Sequence, residues 1–233
     1  MLGEALRKNH RGQASVDFYK RALYQDGSKF VYYARLGGVY ILLGQSNQAV
    51  EVFHRALQRF PDLPEAHYFA GIAAQAVSDY ELAEKELRTS LALEPDNVNG
   101  LAQLGFVLLE RDRTKEAEGI LRRAIAINDK HFYANYNLGR LLVKSRRYEE
   151  SLSVLQHAAT LKPKNPGVQY QLFMALTRLK RKEEADRALA SFKQLEEARK
   201  ARPRSESDIE DDDVENPITL SPQSDPLKSS PQR

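Results

Sequence analysis

The chain has 233 residues, 42% hydrophobic and 29% charged, a balance that suits a thin fold with much surface better than a large spherical core. It contains no cysteine, which excludes disulfides and thiolate metal sites and leans towards a reducing, cytoplasmic setting. No apolar run approaches the roughly 18 residues that span a bilayer, and the N-terminus lacks the apolar stretch of a secretory signal, so no membrane partner is expected.

The formal charge of +3 is unevenly spread. Residues 1–199 hold 30 Lys and Arg against 24 Asp and Glu, whereas residues 200–233 hold 5 against 8. Acidic residues sit between the basic ones throughout, and no basic stripe is interleaved with aromatics, so no nucleic-acid partner is expected.

In chain order, residues 1–29 read as an incomplete hairpin. Leu2, Gly3 and Leu6 fall in first-helix positions, and Ser15, Tyr19 and Ala22 in second-helix positions, so Met1 stands inside a helix. From residue 30 a step of 34 takes over. Gly37, Gly71, Gly105 and Gly139 are each 34 residues apart, a coincidence on the order of 10⁻⁵ at the usual glycine frequency. The same step runs through Leu36, Ala70, Leu104, Leu138 and Leu172, through Ala49, Ala83, Ala117, Ser151 and Ala185, and through Phe53, Leu87, Leu121, Leu155 and Leu189. The units are 30–63, 64–97, 98–131, 132–165 and 166–202.

Within a unit the apolar columns recur at three and four residues, the period of a helix burying one face. Pro61 and Pro64, Pro95 to Asn97, Asn128-Asp129 and Pro163 to Pro166 divide the units, and a polar or glycine-bearing break such as Gly44 to Asn47 divides each one. Each unit therefore reads as helix, turn, helix, with roughly 14 residues per helix. A glycine in the first helix lets the second approach, and the large Phe53-type column fills the space between hairpins. The last helix is expected over Arg181 to Lys200. Residues 203–233, with an acidic run, five prolines and few apolar residues, are expected to be disordered.

The unit from Phe30 to Leu63 carries Tyr33, Leu36, Gly37, Tyr40, Ala49, Phe53, Ala56 and Pro61. This pattern resembles the tetratricopeptide (TPR) repeat family and covers about 85% of the chain. The resemblance implies an all-α, right-handed α-solenoid of helix-turn-helix hairpins. It departs from the family at Asp129, where proline is preferred, and at Phe173, where glycine or alanine is preferred. The second departure implies a splayed last hairpin or a phenylalanine buried against the final helix.

The resemblance further implies that first helices line a concave groove holding a partner segment. The residue before the Leu36-type column reads Arg35, Phe69, Gln103, Asn137, Gln171, with three successive amides suited to peptide backbone. Tyr68, Tyr136 and Tyr170 lie one turn away, followed by Phe106 and Arg140, with Lys144 and Arg178 at the deeper edge. Tyrosine and arginine are common binding hot spots. The lysine and asparagine set of chaperone-binding carboxylate clamps is missing, so chaperone C-termini are not the expected ligand.

No phosphate-cradling loop, nucleophile elbow or zinc helix occurs, and the five histidines never pair at one helical turn. The expectation is a non-enzymatic scaffold for a protein or peptide, without metal or cofactor. One alternative is the substrate-recruiting part of a larger enzyme. Another is an array that self-assembles through the clipped first hairpin.

Overall fold

The computed structural model describes residues 2–201, with side chains described from residue 12. Among these residues there are eleven α-helices and no strands. They form two compact units. The first, ending at Pro95, holds α1 (Leu2–Gln25), α2 (Phe30–Leu42), α3 (Ser46–Arg59), α4 (Pro64–Ala76) and α5 (Tyr80–Leu93). The second, from Asp96, holds α6 (Val98–Glu110), α7 (Thr114–Ile127), α8 (Phe132–Lys144), α9 (Tyr148–Leu161), α10 (Pro166–Arg178) and α11 (Lys182–Ala201).

In both units each helix packs on its chain neighbour, and first helices also touch the next first helix: α2 meets α4, α6 meets α8, and α8 meets α10. The columns explain this packing. Leu36, Leu104 and Leu138 are at most 2% exposed, and Leu87, Leu121 and Leu155 are fully buried, as are the alanines at 49, 83, 117, 124 and 158. Each such leucine contributes roughly 1.5–3 kcal/mol by leaving water.

The glycines are where the two helices of a hairpin come closest. A Cβ on Gly105 would stand 2.5 Å from Cγ and Cδ2 of Leu121, and one on Gly37 would stand 2.3 Å from the Phe53 ring. Gly71 and Gly139 face Leu87 and Leu155 in the same way. The large residue of the second helix therefore occupies the space of the missing side chain. In the first unit the core is aromatic: Phe53 stacks on Phe69 with centroids 5.7 Å apart, and Phe30 and Tyr33 pack edge-on against Phe60.

Every turn inside a hairpin is built alike. After α2, the Gly44 amide donates to the Ile41 carbonyl and the Gln45 amide to the Tyr40 carbonyl, which is a Schellman closure. The same two bonds recur at Ser78-Asp79, Asp112-Arg113, Arg146-Arg147 and Lys180-Arg181. The left-handed residue is glycine only in the first; Ser78, Asp112, Arg146 and Lys180 hold φ near +60°. Asn97, Asp79 and Asn165 cap α6, α5 and α10 through their side chains, and Pro64 and Pro166 open α4 and α10.

The N-terminal end differs from the expected clipped hairpin. Residues Leu2–Gln25 are one uninterrupted helix. No proline lies between the two sets of columns, and a glycine inside a helix costs only about 0.5–1 kcal/mol, too little to stop one. Gly12 instead receives Leu43, whose Cδ2 would lie 2.6 Å from a Cβ there. At the other end Phe173 is half-buried against the core of Leu155, Leu172, Leu176 and Ala188. The phenylalanine therefore packs on the core of the last hairpin with part of its surface left open. The expectation of disorder over 203–233 lies outside the described residues.

Candidate partner-binding face

Three amides stand at one register of the second unit, on α6, α8 and α10: Gln103, Asn137 and Gln171. Asn137 is 5% exposed, and the two glutamines are half-buried. None of the three side chains has a hydrogen-bond partner among the described residues.

Around the amides the structure assigns roles that spacing alone does not show. Arg140 extends its guanidinium over the rings of Phe106 and Tyr136, 5.5 and 5.9 Å from their centroids, and donates to Glu110 Oε1 at 3.0 Å. Lys144 donates to Asp112 and lies 3.4 Å from the Leu109 carbonyl. Arg140 and Lys144 are thus both paired with the preceding hairpin. The partners lie 30 and 32 residues upstream, a separation that no local pattern reveals.

The tyrosines divide. Tyr136 stacks on Phe132 at 5.7 Å, and its hydroxyl would lie 2.6 Å from a Cβ on Gly167, so it packs against the start of α10. Burial pushes its pKa up, only partly offset by Arg140, so the hydroxyl keeps its proton. Tyr170 is 41% exposed, with Phe192 5.4 Å away and Phe173 6.4 Å away. Arg178, at the end of α10, is exposed. In the first unit Tyr68 is 7% exposed and packs edge-on against Phe69, while Arg35 is half-buried on α2. Tyr68 is therefore part of the core and not a presented ring.

His67 and His131 serve the fold. The His67 ring lies 2.7 Å from Glu86 and 2.7 Å from the Pro61 carbonyl. His131 accepts from the Ala134 amide at 3.2 Å through Nδ1, so its Nε2–H donates to Asn99 Oδ1 at 2.9 Å. Burial, with Lys162 nearby, lowers its pKa to about 4. Among the described residues no group of His, Asp and Glu side chains could hold a metal ion. No helix there is long and apolar enough to cross a membrane.

With the hairpins and this face in view, comparison with known proteins is decisive. Residues 1–210 match the model of the cilia and flagella-associated protein 70 C-terminal domain, a TPR family. The chain belongs to this family. A human FK506-binding protein-like protein is similar at 34% identity over 80 residues, and the match spans 34% of this chain but only 23% of that protein. Among solved structures, the Cut9–Hcn1 hetero-tetramer of APC/C has a chain similar over 80% of this one and 37% of its own length, at 17% identity and a TM-score of 0.73. YrrB, described as a TPR protein with an unusual peptide-binding site, is similar over 76% of this chain and 91% of its own, at 19% identity and a TM-score of 0.57. Both structural likenesses are to TPR folds and bear on architecture.

Proposed function

We propose that this domain is a non-catalytic scaffold whose α6, α8 and α10 face captures an extended segment of a partner protein. The observation that carries this reading is the row of Gln103, Asn137 and Gln171, three side-chain amides in one register with no partner of their own. An extended segment advances about 3.3–3.6 Å per residue, so amides on packed helices about 8–10 Å apart would meet every second or third peptide group and grip a backbone without reading its sequence. Arg140, held between Phe106 and Tyr136, stiffens the floor beside the row, and Tyr170 supplies an exposed ring at its end. Since Arg140 and Lys144 are already paired, the segment is recognised by backbone and apolar groups more than by acidic ones. The family's name makes a component of cilia or flagella the first class of partner to examine.

The test is affinity capture from extracts of ciliated cells, comparing the parent chain with Gln103→Ala, Asn137→Ala and Gln171→Ala combined. The expected result is a discrete set of proteins lost with the triple variant while helicity and unfolding temperature stay within a few degrees. Undiminished capture by a folded triple variant would exclude this face.

A further inference from the structure

Four cations of the second unit, Arg122, Arg140, Lys144 and Arg147, are paired from one hairpin to the next. Lys144 meets Asp112, and Arg140 meets Glu110. Arg122 and Arg147 share Glu118 and Glu150 between α7 and α9. One period further on, this complementarity fails. Arg178 stands where Lys144 stood, but the position of Asp112 is now filled by Arg146, and the next left-handed turn residue is Lys180. Arg146, Arg178, Lys180 and Lys182 are all exposed, and none has an acidic partner among the described residues. The edge formed by the last two intra-hairpin turns is therefore basic and unneutralised.

Beside it lies a cavity of about 240 Å³, lined by Phe173, Thr177, Lys180, Lys182, Ala185 and Asp186. Phe173 and Ala185 give it an apolar lining, Lys180 and Lys182 add two cations, and Asp186 is the one carboxylate among the lining residues. Such a site suits an apolar side chain set within an acidic sequence.

The chain itself holds such a sequence. Residues 206–215, Glu-Ser-Asp-Ile-Glu-Asp-Asp-Asp-Val-Glu, carry seven acids with Ile209 and Val214 among them. Reach selects between the two. From Lys182 to Ala201, α11 rises about 29 Å at 1.5 Å per residue. An extended chain returns at most about 3.3–3.6 Å per residue, so a residue must stand about nine or more positions beyond Ala201 to regain the turn. Ile209 falls short, whereas Asp211 to Glu215 arrive.

We infer that the acidic segment 206–215 docks in cis on the basic turn edge of Arg146, Arg178, Lys180 and Lys182, with Val214 entering the Phe173 cavity. The inference does not rest on the amide row and survives or fails independently of it.

The absence of native cysteine permits a clean test in the full chain. A nitroxide is attached at Asn216→Cys, and broadening of backbone amides is read by NMR against the reduced label. The expected result is loss of more than half the signal at Arg146 and at Lys180 to Asp186. This broadening should fall by at least half in about 0.5 M salt, where the screening length drops to about 4–5 Å. It should fall equally in the full chain carrying R146Q, R178Q, K180Q and K182Q, whose helicity is checked separately. Broadening confined to the end of α11, or unchanged by the four substitutions, would overturn the inference. So would broadening in a mixture of labelled and isotopically enriched chains, since the occupant would then be a second copy.

Discussion

At the scale of single residues, the fold depends on pairs that fill one space from two helices. Gly105 and Leu121 are such a pair, with 2.5 Å between the absent Cβ and the leucine. Gly105→Ala should cost about 1–3 kcal/mol by overpacking, and Leu121→Ala about 2–5 kcal/mol by cavity formation. The double variant should cost at least 1 kcal/mol less than the sum, because the new methyl enters the vacated space. Urea unfolding of the four proteins reads this coupling, and strict additivity would contradict the packing described. The glycine column and its large partners were legible in the letters, since both keep the 34-residue step. The pairing of Arg140 with Glu110 and of Lys144 with Asp112 was not, because it joins different columns of successive hairpins. Tyr136 was likewise legible as an aromatic of the face but not as the ring that packs beside Gly167.

At the scale of elements, helix bounds followed from prolines, caps and polar breaks, and the ends of α4 and α10 are marked by residues that can start a helix and little else. The turns were harder to read. Only Gly44 announces its left-handed conformation; Ser78, Asp112, Arg146 and Lys180 adopt it because the two Schellman bonds and the packed helices on either side leave no other path. A residue with a side chain pays about 1–2 kcal/mol for this, offset by the greater freedom glycine loses on folding, about 0.5–1 kcal/mol. Ser78→Gly should therefore stabilise the first unit by about 0.5–1 kcal/mol, seen as a higher urea midpoint with an unchanged slope. A lower midpoint would show that the serine side chain contributes something the turn geometry does not reveal. The same logic explains α1: without a proline or a closing turn, the repeat phase alone could not divide it.

At the scale of the whole molecule, acid should be the condition that most weakens the second unit. The folded pKa of His131, about 4, lies below its ordinary value of 6.5. The unfolded chain therefore binds the proton first, and stability is lost as pH falls through that window. Protonation would also remove the acceptor for the Ala134 amide and set a second cation near Lys162. A shift of this size corresponds to about 3 kcal/mol. His131→Asn, which can still cap α8, should lower stability at pH 7 but flatten its dependence between pH 6.5 and 4. Hydrogen bonds from Arg122 and Arg147 hold the Glu150 carboxyl below its ordinary range, so that contribution fades only at lower pH. Parallel slopes for the variant and the parent in thermal melts would rule out His131 as the source.

The left-handed turn column has a consequence of another kind. Its residues are exposed, and the backbone there is held by bonds that involve no side chain. Glycine, serine, aspartate, arginine and lysine all occupy it within this one chain. Natural variation can therefore rewrite the charge of this edge one repeat at a time, at a small and nearly constant stability cost. A lineage could change the charge this edge presents while leaving every helix where it is.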